Sequence, residues 1–230
     1  MLFSILKMEL TVYEALLVLL VLVLIYLISL TFHEYAHAYV AYKEGDITPK
    51  LAGRLTLNPS RHIDFWGFLC FIVAGIGWAK PVPINPINFK KYRGGIARAS
   101  IAGVSANAIL MIVGSFFFVL LNNVVGGINL FMSTLILFFR WLMEINAFLI
   151  IFNMIPIFPL DGFNFISSFL PSNSKYIDFN VRNFGKIFIV IILVDLVFDI
   201  FLNFSILEWI ISNFAYWLYK PFVMLWSLIF

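Results

Sequence analysis

The chain has 230 residues, of which 63% are hydrophobic and only 12% charged, against about 25% charged in ordinary soluble domains. A water-soluble domain of this size has no interior large enough to hide that much apolar surface, so the composition excludes one and points to a multi-pass protein with the lipid bilayer as its solvent. A formal charge of +3, with the basic residues gathered beside apolar stretches, gives no reason to expect a nucleic-acid partner, and the single cysteine, Cys70, excludes an internal disulfide framework.

In chain order, five stretches read as membrane helices: about Glu14–Tyr42, Ile96–Leu121, Leu130–Phe152, Phe184–Phe201 and Leu207–Ile229. Leu16–Leu30 followed by Ala36-His37-Ala38 has the look of a signal peptide, but a helix-compatible polar motif and further spans follow, so the segment is expected to stay in the protein. Phe65–Trp78 is apolar but too short to cross as an ordinary helix, which makes it re-entrant or a short additional span. Lys50–Leu57 partly alternates apolar and polar residues, and Trp78–Asn85 is held extended by Pro81 and Pro83, so a short β-hairpin with a free strand edge is predicted there. Arg140 and Glu144, four apart in the third span, predict an ion pair on one helix face, and Asp195 in the fourth predicts a polar contact to another helix. The fold class is an all-α polytopic membrane protein of about five to six spans. It forms one domain over 1–230, with a motif-bearing core at about 14–170 and C-terminal helices at about 184–230.

Charge sets an orientation. Nine of the fifteen Lys and Arg residues fall between Lys43 and Arg98, and positive charge near span ends favours the cytoplasmic side. Lys175, Arg182 and Lys186 mark a second basic loop on the same side, while the N-terminal stretch, with Lys7 against Glu9 and Glu14, faces outward. The expected location is the plasma membrane of a prokaryotic cell.

His33-Glu34-Tyr35-Ala36-His37 stands in the second half of the first apolar helix. Ionisable groups are costly there, so three together mark a functional site. Residues four apart share a helix face, so both imidazoles reach one zinc ion, and Glu34 projects where it can take a proton from a zinc-bound water. Catalytic zinc commonly takes three protein ligands, and two candidates remain, Asp161 and His62. Asp161 follows Pro156 and Pro159, which obstruct a continuing helix, so its carboxylate stands at an unwound break; the bland alternative is that it caps a helix starting near Phe163. His62 lies in a basic interfacial stretch where a histidine is more often a surface hydrogen-bonding group.

An HExxH inside a membrane helix together with a later Asn-x-x-Pro-x-x-Pro-x-Asp-Gly, here Asn153, Pro156, Pro159, Asp161 and Gly162, resembles the site-2 protease family of intramembrane zinc metalloproteases. The resemblance implies one Zn2+ held by His33, His37 and Asp161, with Glu34 as the catalytic base. Gly103 followed four residues later by Asn107 is similar to a further family feature, although Val104 stands where the family often has proline. Gly77–Asn85 and the preceding Asn-Pro-x-x-His-Ile-Asp are similar to a compact subgroup without an inserted peptide-binding domain. The expected substrate is a transmembrane protein, cut at a peptide bond. Asn107 and Asn153 are amides able to serve the substrate backbone or a developing oxyanion, or simply to bond between helices. The rival reading is an ion- or proton-conducting transporter that uses the same buried acids and histidines. Such a protein has no need of the HExxH spacing.

Overall fold

The computed structural model describes residues 11–75, 77–126, 129–202 and 204–230. Eight α-helices follow one another among them: α1 (Val12–Glu44), α2 (Thr48–Leu51), α3 (Phe65–Ala74), α4 (Tyr92–Leu120), α5 (Leu130–Asn153), α6 (Asp161–Ser167), α7 (Lys175–Leu202) and α8 (Ile206–Ser227). The predicted charge balance at Lys7 and Glu9 lies outside the described residues.

Helix α1 begins at a capping box. Thr11 Oγ1 accepts from the Glu14 amide at 3.3 Å, and the Glu14 carboxylate accepts from the Thr11 amide at 2.9 Å, so orphan donors at the helix start are satisfied reciprocally. It ends at Gly45, whose φ of 113° no side-chain-bearing residue adopts readily. At 33 residues it is about 50 Å long, well over the roughly 30 Å of a hydrocarbon core.

Helix α4 is the hub. It packs against α1, α5, α6 and α8, and small residues on its buried faces make that possible. A Cβ on Gly114 would lie 2.7 Å from the Met143 backbone nitrogen, so α4 and α5 approach nearly backbone to backbone. Val104, Met111, Met143, Ala147, Ile150 and Ala215 form the apolar core between α4, α5 and α8. Asp195 behaves as predicted: its carboxylate accepts from Ser205 Oγ and from the Leu207 amide at 2.9 Å, at the start of α8. Arg140 and Glu144 pair at 3.0 Å.

Two expectations of the fold fail. Among the described residues there is no β-strand, and the predicted hairpin is reduced to one isolated bridge between Ile63 and Ala79. The reason lies in where the backbone groups go. Lys50 and Leu51 are helical. In the extended stretch Pro81 and Pro83 have no amide hydrogen, Val82 N–H donates to Glu34 Oε2 at 3.1 Å, and Asn85 N–H donates to Asp46 Oδ2 at 2.7 Å. The buried Arg54 guanidinium takes the Lys80 carbonyl at 2.9 Å and the Pro81 carbonyl at 3.2 Å. Side chains have consumed the groups a ladder would use.

The candidate spans among the described residues are also fewer than the five to six expected. Among the described residues three helices are long and apolar enough to cross a membrane, α1, α4 with the π-turn that follows it to Val125, and α5, with a fourth if α7 and α8 count together. Lys186, Asp195 and Asp199 interrupt α7, while Asn213, Lys220 and Pro221 dilute α8, and the two helices meet at a 98° bend. Helix α3, with 10 residues, spans about 15 Å, half a hydrocarbon core.

Beyond α1, the chain is anchored by a buried carboxylate. Asp46 accepts from Thr48 N at 3.0 Å, Thr48 Oγ1 at 2.6 Å, Asn88 Nδ2 at 2.9 Å and Asn85 N at 2.7 Å, which ties the 85–88 turn to the end of the zinc-motif helix. Burial alone would raise this carboxyl, but the hydrogen bonds from Thr48, Asn85 and Asn88 outweigh it and hold it below the usual carboxylate range. A carboxyl depressed by folding stabilises above its unfolded pKa of about 3.9, and that stability is lost as pH falls through the folded value. Asp46→Ala should therefore cost about 1–3 kcal/mol at pH 7, through donors left without an acceptor. Thermal unfolding in detergent should show the gap to wild type narrowing below about pH 4. Parallel curves down to pH 3 would assign the effect to packing alone.

Candidate metal centre

A helix of 3.6 residues per turn carries His33 and His37 to one face of α1, and that face looks at α4 and at the start of α6. Both histidines are buried, at 6% and 8% exposure. Their Nε2 atoms lie 3.0 Å apart. Asp161 Oδ2 stands 3.4 Å from His33 Nε2 and 3.3 Å from His37 Nε2, which closes a triangle from residues 33, 37 and 161. Two ligands about 2.0–2.1 Å from one tetrahedral zinc ion are separated by about 3.3 Å, so the triangle has the size such an ion requires.

The triangle is unfavourable on its own terms. His37 Nδ1 lies 2.7 Å from the Ala99 carbonyl, which can only accept, so the neutral ring keeps its proton on Nδ1 and turns a bare Nε2 toward the centre. His33 Nδ1 is engaged in the same way, 2.6 Å from Asn107 Oδ1. Asp161 Oδ2 is buried and has no hydrogen-bond partner. With both rings neutral and their protons on Nδ1, three acceptor atoms face one another, an arrangement that suits a bound cation.

Asp161 arrives through the unwound segment expected after Pro156. Helix α5 stops at Asn153, the Ile157 and Leu160 amides close tight turns, and Tyr176 Oη pins the Pro156 carbonyl at 2.6 Å. Phe158 packs edge-on against Phe163 and Phe184. Asp161 is the first residue of α6 and does not cap it, for the residue before the helix, Leu160, makes no side-chain cap. Gly162 is required by closeness: a Cβ there would stand 2.2 Å from the Met154 carbonyl oxygen, because the loop doubles back on its own entry.

The other candidates fall elsewhere. His62 lies outside the triangle and is fully buried, not a surface group; its Nε2 donates to the Thr56 carbonyl at 2.7 Å and its own carbonyl accepts from Lys80 N at 2.7 Å. Asn107 has both ends of its amide engaged inside the helix bundle, Oδ1 with His33 and Nδ2 with Asn146 Oδ1 at 2.7 Å. Asn153 Nδ2 returns to the Leu149 carbonyl on its own helix at 2.9 Å. Glu34 is half-buried beside the triangle's helix face, with Val82 N–H on Oε2. Sequence reasoning passed over Ser29 and Asn146, although an asparagine inside an apolar span is itself a signal, since lipid penalises it unless it is bonded.

No family model matches the chain, and no solved structure matches it. Among curated proteins, the chain is 40% identical over 174 residues to "Putative zinc metalloprotease YwhC" of Bacillus subtilis (strain 168), an alignment that covers 75% of this chain and 80% of that protein. Such identity across most of both sequences is far above what unrelated chains share, and the protein belongs to the zinc metalloprotease family of that relative.

Proposed function

We propose that this metalloprotease is of the site-2 type: a single membrane-embedded domain that holds one zinc ion on His33, His37 and Asp161 and cuts a peptide bond of a transmembrane protein substrate. The observation that carries the reading is the buried acceptor triangle, built on a helix apolar enough to span and on a helix start that follows another. Bound zinc would supply an acidified water and a polarised carbonyl at that point. Glu34 is the general base; it accepts the proton of the attacking water and returns it to the leaving amine. Val82 N–H holds Oε2 of that carboxylate, which leaves Oε1 to carry the proton. The basic residues between Lys43 and Arg98 favour an orientation with the site toward the cytoplasmic side, and the membrane we propose is the plasma membrane of a prokaryotic cell. An ion conductor would not need two imidazoles whose outer nitrogens are engaged by fixed acceptors while the inner ones converge with a carboxylate.

The base is tested by Glu34→Gln, which keeps side-chain size and leaves the three ligands alone. Zinc content should stay at one equivalent while cleavage of a membrane substrate falls by about 100-fold or more. Turnover near wild type would mean that another group takes the proton.

The ligand set is tested from α4. Gly103 faces the triangle with only a hydrogen, and a Cβ there would stand 2.4 Å from His37 Nε2 and 2.7 Å from His33 Nε2. Gly103→Ala should therefore expel the metal, as should Asp161→Ala, whereas His62→Ala should keep it. Elemental analysis of the purified variants decides. A full equivalent of zinc in Gly103→Ala would place the metal elsewhere.

A further inference from the structure

Of the two ligand histidines, only one has its tautomer fixed directly by the backbone. His37 donates Nδ1–H to the Ala99 carbonyl, and a carbonyl cannot reverse its role. His33 instead relies on Asn107, a primary amide whose oxygen and nitrogen exchange places by a half-turn. In the reversed orientation Asn107 would donate to His33 Nδ1. The imidazole proton would then sit on Nε2, pointing into the triangle where a lone pair is needed.

We propose that Asn146 is the positioning residue that prevents this, an inference that rests on the zinc site described above. Asn146 Oδ1 accepts from Asn107 Nδ2 at 2.7 Å, so a reversed Asn107 would set oxygen against oxygen. Asn146 is itself an amide, and its direction is fixed by backbone: Nδ2 donates to the Leu142 carbonyl at 2.8 Å, one turn back on α5, and to Ser29 Oγ at 2.9 Å. The carbonyl of Leu142 thus orients Asn146, Asn146 orients Asn107, and Asn107 orients His33. Ser29 and His33 are four apart on α1, so the chain of contacts leaves α1, passes through α4 and α5, and returns one turn away. Ser29, Asn107 and Asn146 are each 0% exposed, so bulk water does not reach them. A mismatched orientation in this interior leaves two acceptors facing each other, which costs far more than in water.

Outer partners of metal-bound histidines typically change metal affinity by about 10–100-fold when removed. Asn146→Leu keeps the volume of the side chain and removes both its roles, so zinc affinity, measured by competition with a chelator on protein in detergent, should fall by about that factor. The decisive comparison repeats the substitution in an Asn107→Asp background. A carboxylate presents an acceptor to His33 whichever way it turns and needs no orienting, so Asn146→Leu should then cost only a small fraction of its effect in wild type. Equal losses in the two backgrounds would make Asn146 a packing residue and overturn the proposal, as would wild-type affinity in Asn146→Leu alone. If Asn146→Leu does not fold, the ring 15N shifts of His33 in zinc-free wild-type protein give a second test. They should report the proton on Nδ1, and a proton on Nε2 overturns the proposal without any variant. Wild-type protein that takes up no zinc would bring down the metal-centre reading together with this inference. Wild-type protein that binds zinc while the Asn146 tests fail would remove this inference alone.

Discussion

Three acceptor atoms held within 3.4 Å of one another in a buried interior are the constraint on which the rest of this structure turns. Two bare imidazole nitrogens and a carboxylate oxygen repel, and hydrocarbon offers neither water nor mobile ions to soften the repulsion. Each neighbouring feature helps to hold these atoms together. The capping box and Gly45 keep α1 regular through the motif, so that His33 and His37 stay one turn apart. The Ala99 carbonyl and Asn107 hold the outer nitrogens. Gly103 withdraws its side chain from the space between the rings. A metal ion bound there would turn the same geometry into binding energy, as expected of a zinc metalloprotease.

The outer ring of contacts is as economical as the inner one. Two buried amides that lipid would penalise are given partners that also serve the site: Asn146 satisfies Leu142, Ser29 and Asn107, and Asn107 satisfies Asn146 and His33. Such a closed circuit is stronger than its separate bonds because each member fixes the next, and it ties α1, α4 and α5 in one register. The apolar packing of Val104, Met111, Met143 and Ala147 sets the distance between α4 and α5 but cannot choose a register to within half a residue. The polar circuit can.

How much of this was legible in the sequence depends on the range over which each feature acts. The pairing of His33 with His37 follows from helical periodicity alone, and the break at Pro156 and Pro159 announces that Asp161 leaves the helix. The capping alternative for Asp161 could be set aside only when Leu160, and no side chain, was found before α6. Asn107 was visible as a buried amide, but its partners lie 74 residues back and 39 residues on, so sequence alone could not tell a substrate contact from a ligand support. Asn146 has its meaning wholly in three dimensions. The β-hairpin failed for a similar reason: alternation and prolines are local signals, whereas the carboxylates of Glu34 and Asp46, 48 and 39 residues away from their backbone donors, took the amides a strand would need. The candidate spans came out fewer because apolar runs at α7 and α8 carry acids, amides and a proline that windows of hydrophobicity alone underweight.

The same segment that lost its strand character carries a functional consequence. With Pro81 and Pro83 on either side, Val82 has the one amide in Pro81–Pro83 able to donate, and it donates to Glu34. The buried Arg54 guanidinium grips the carbonyls of Arg61, Lys80 and Pro81, and Lys80 N–H reaches the His62 carbonyl, so this short stretch is fastened immediately before Val82. His62, buried and outside the triangle, belongs to that fastening. Its carbonyl fixes Lys80, Lys80 leads to Val82, and Val82 reaches the carboxylate that lies next to the first ligand in sequence. The two halves of the centre are therefore built by opposite means. The His33–His37–Asp161 triangle is held by helices and an internal amide circuit, while Glu34 is held by a loop whose own backbone has been bound up by side chains.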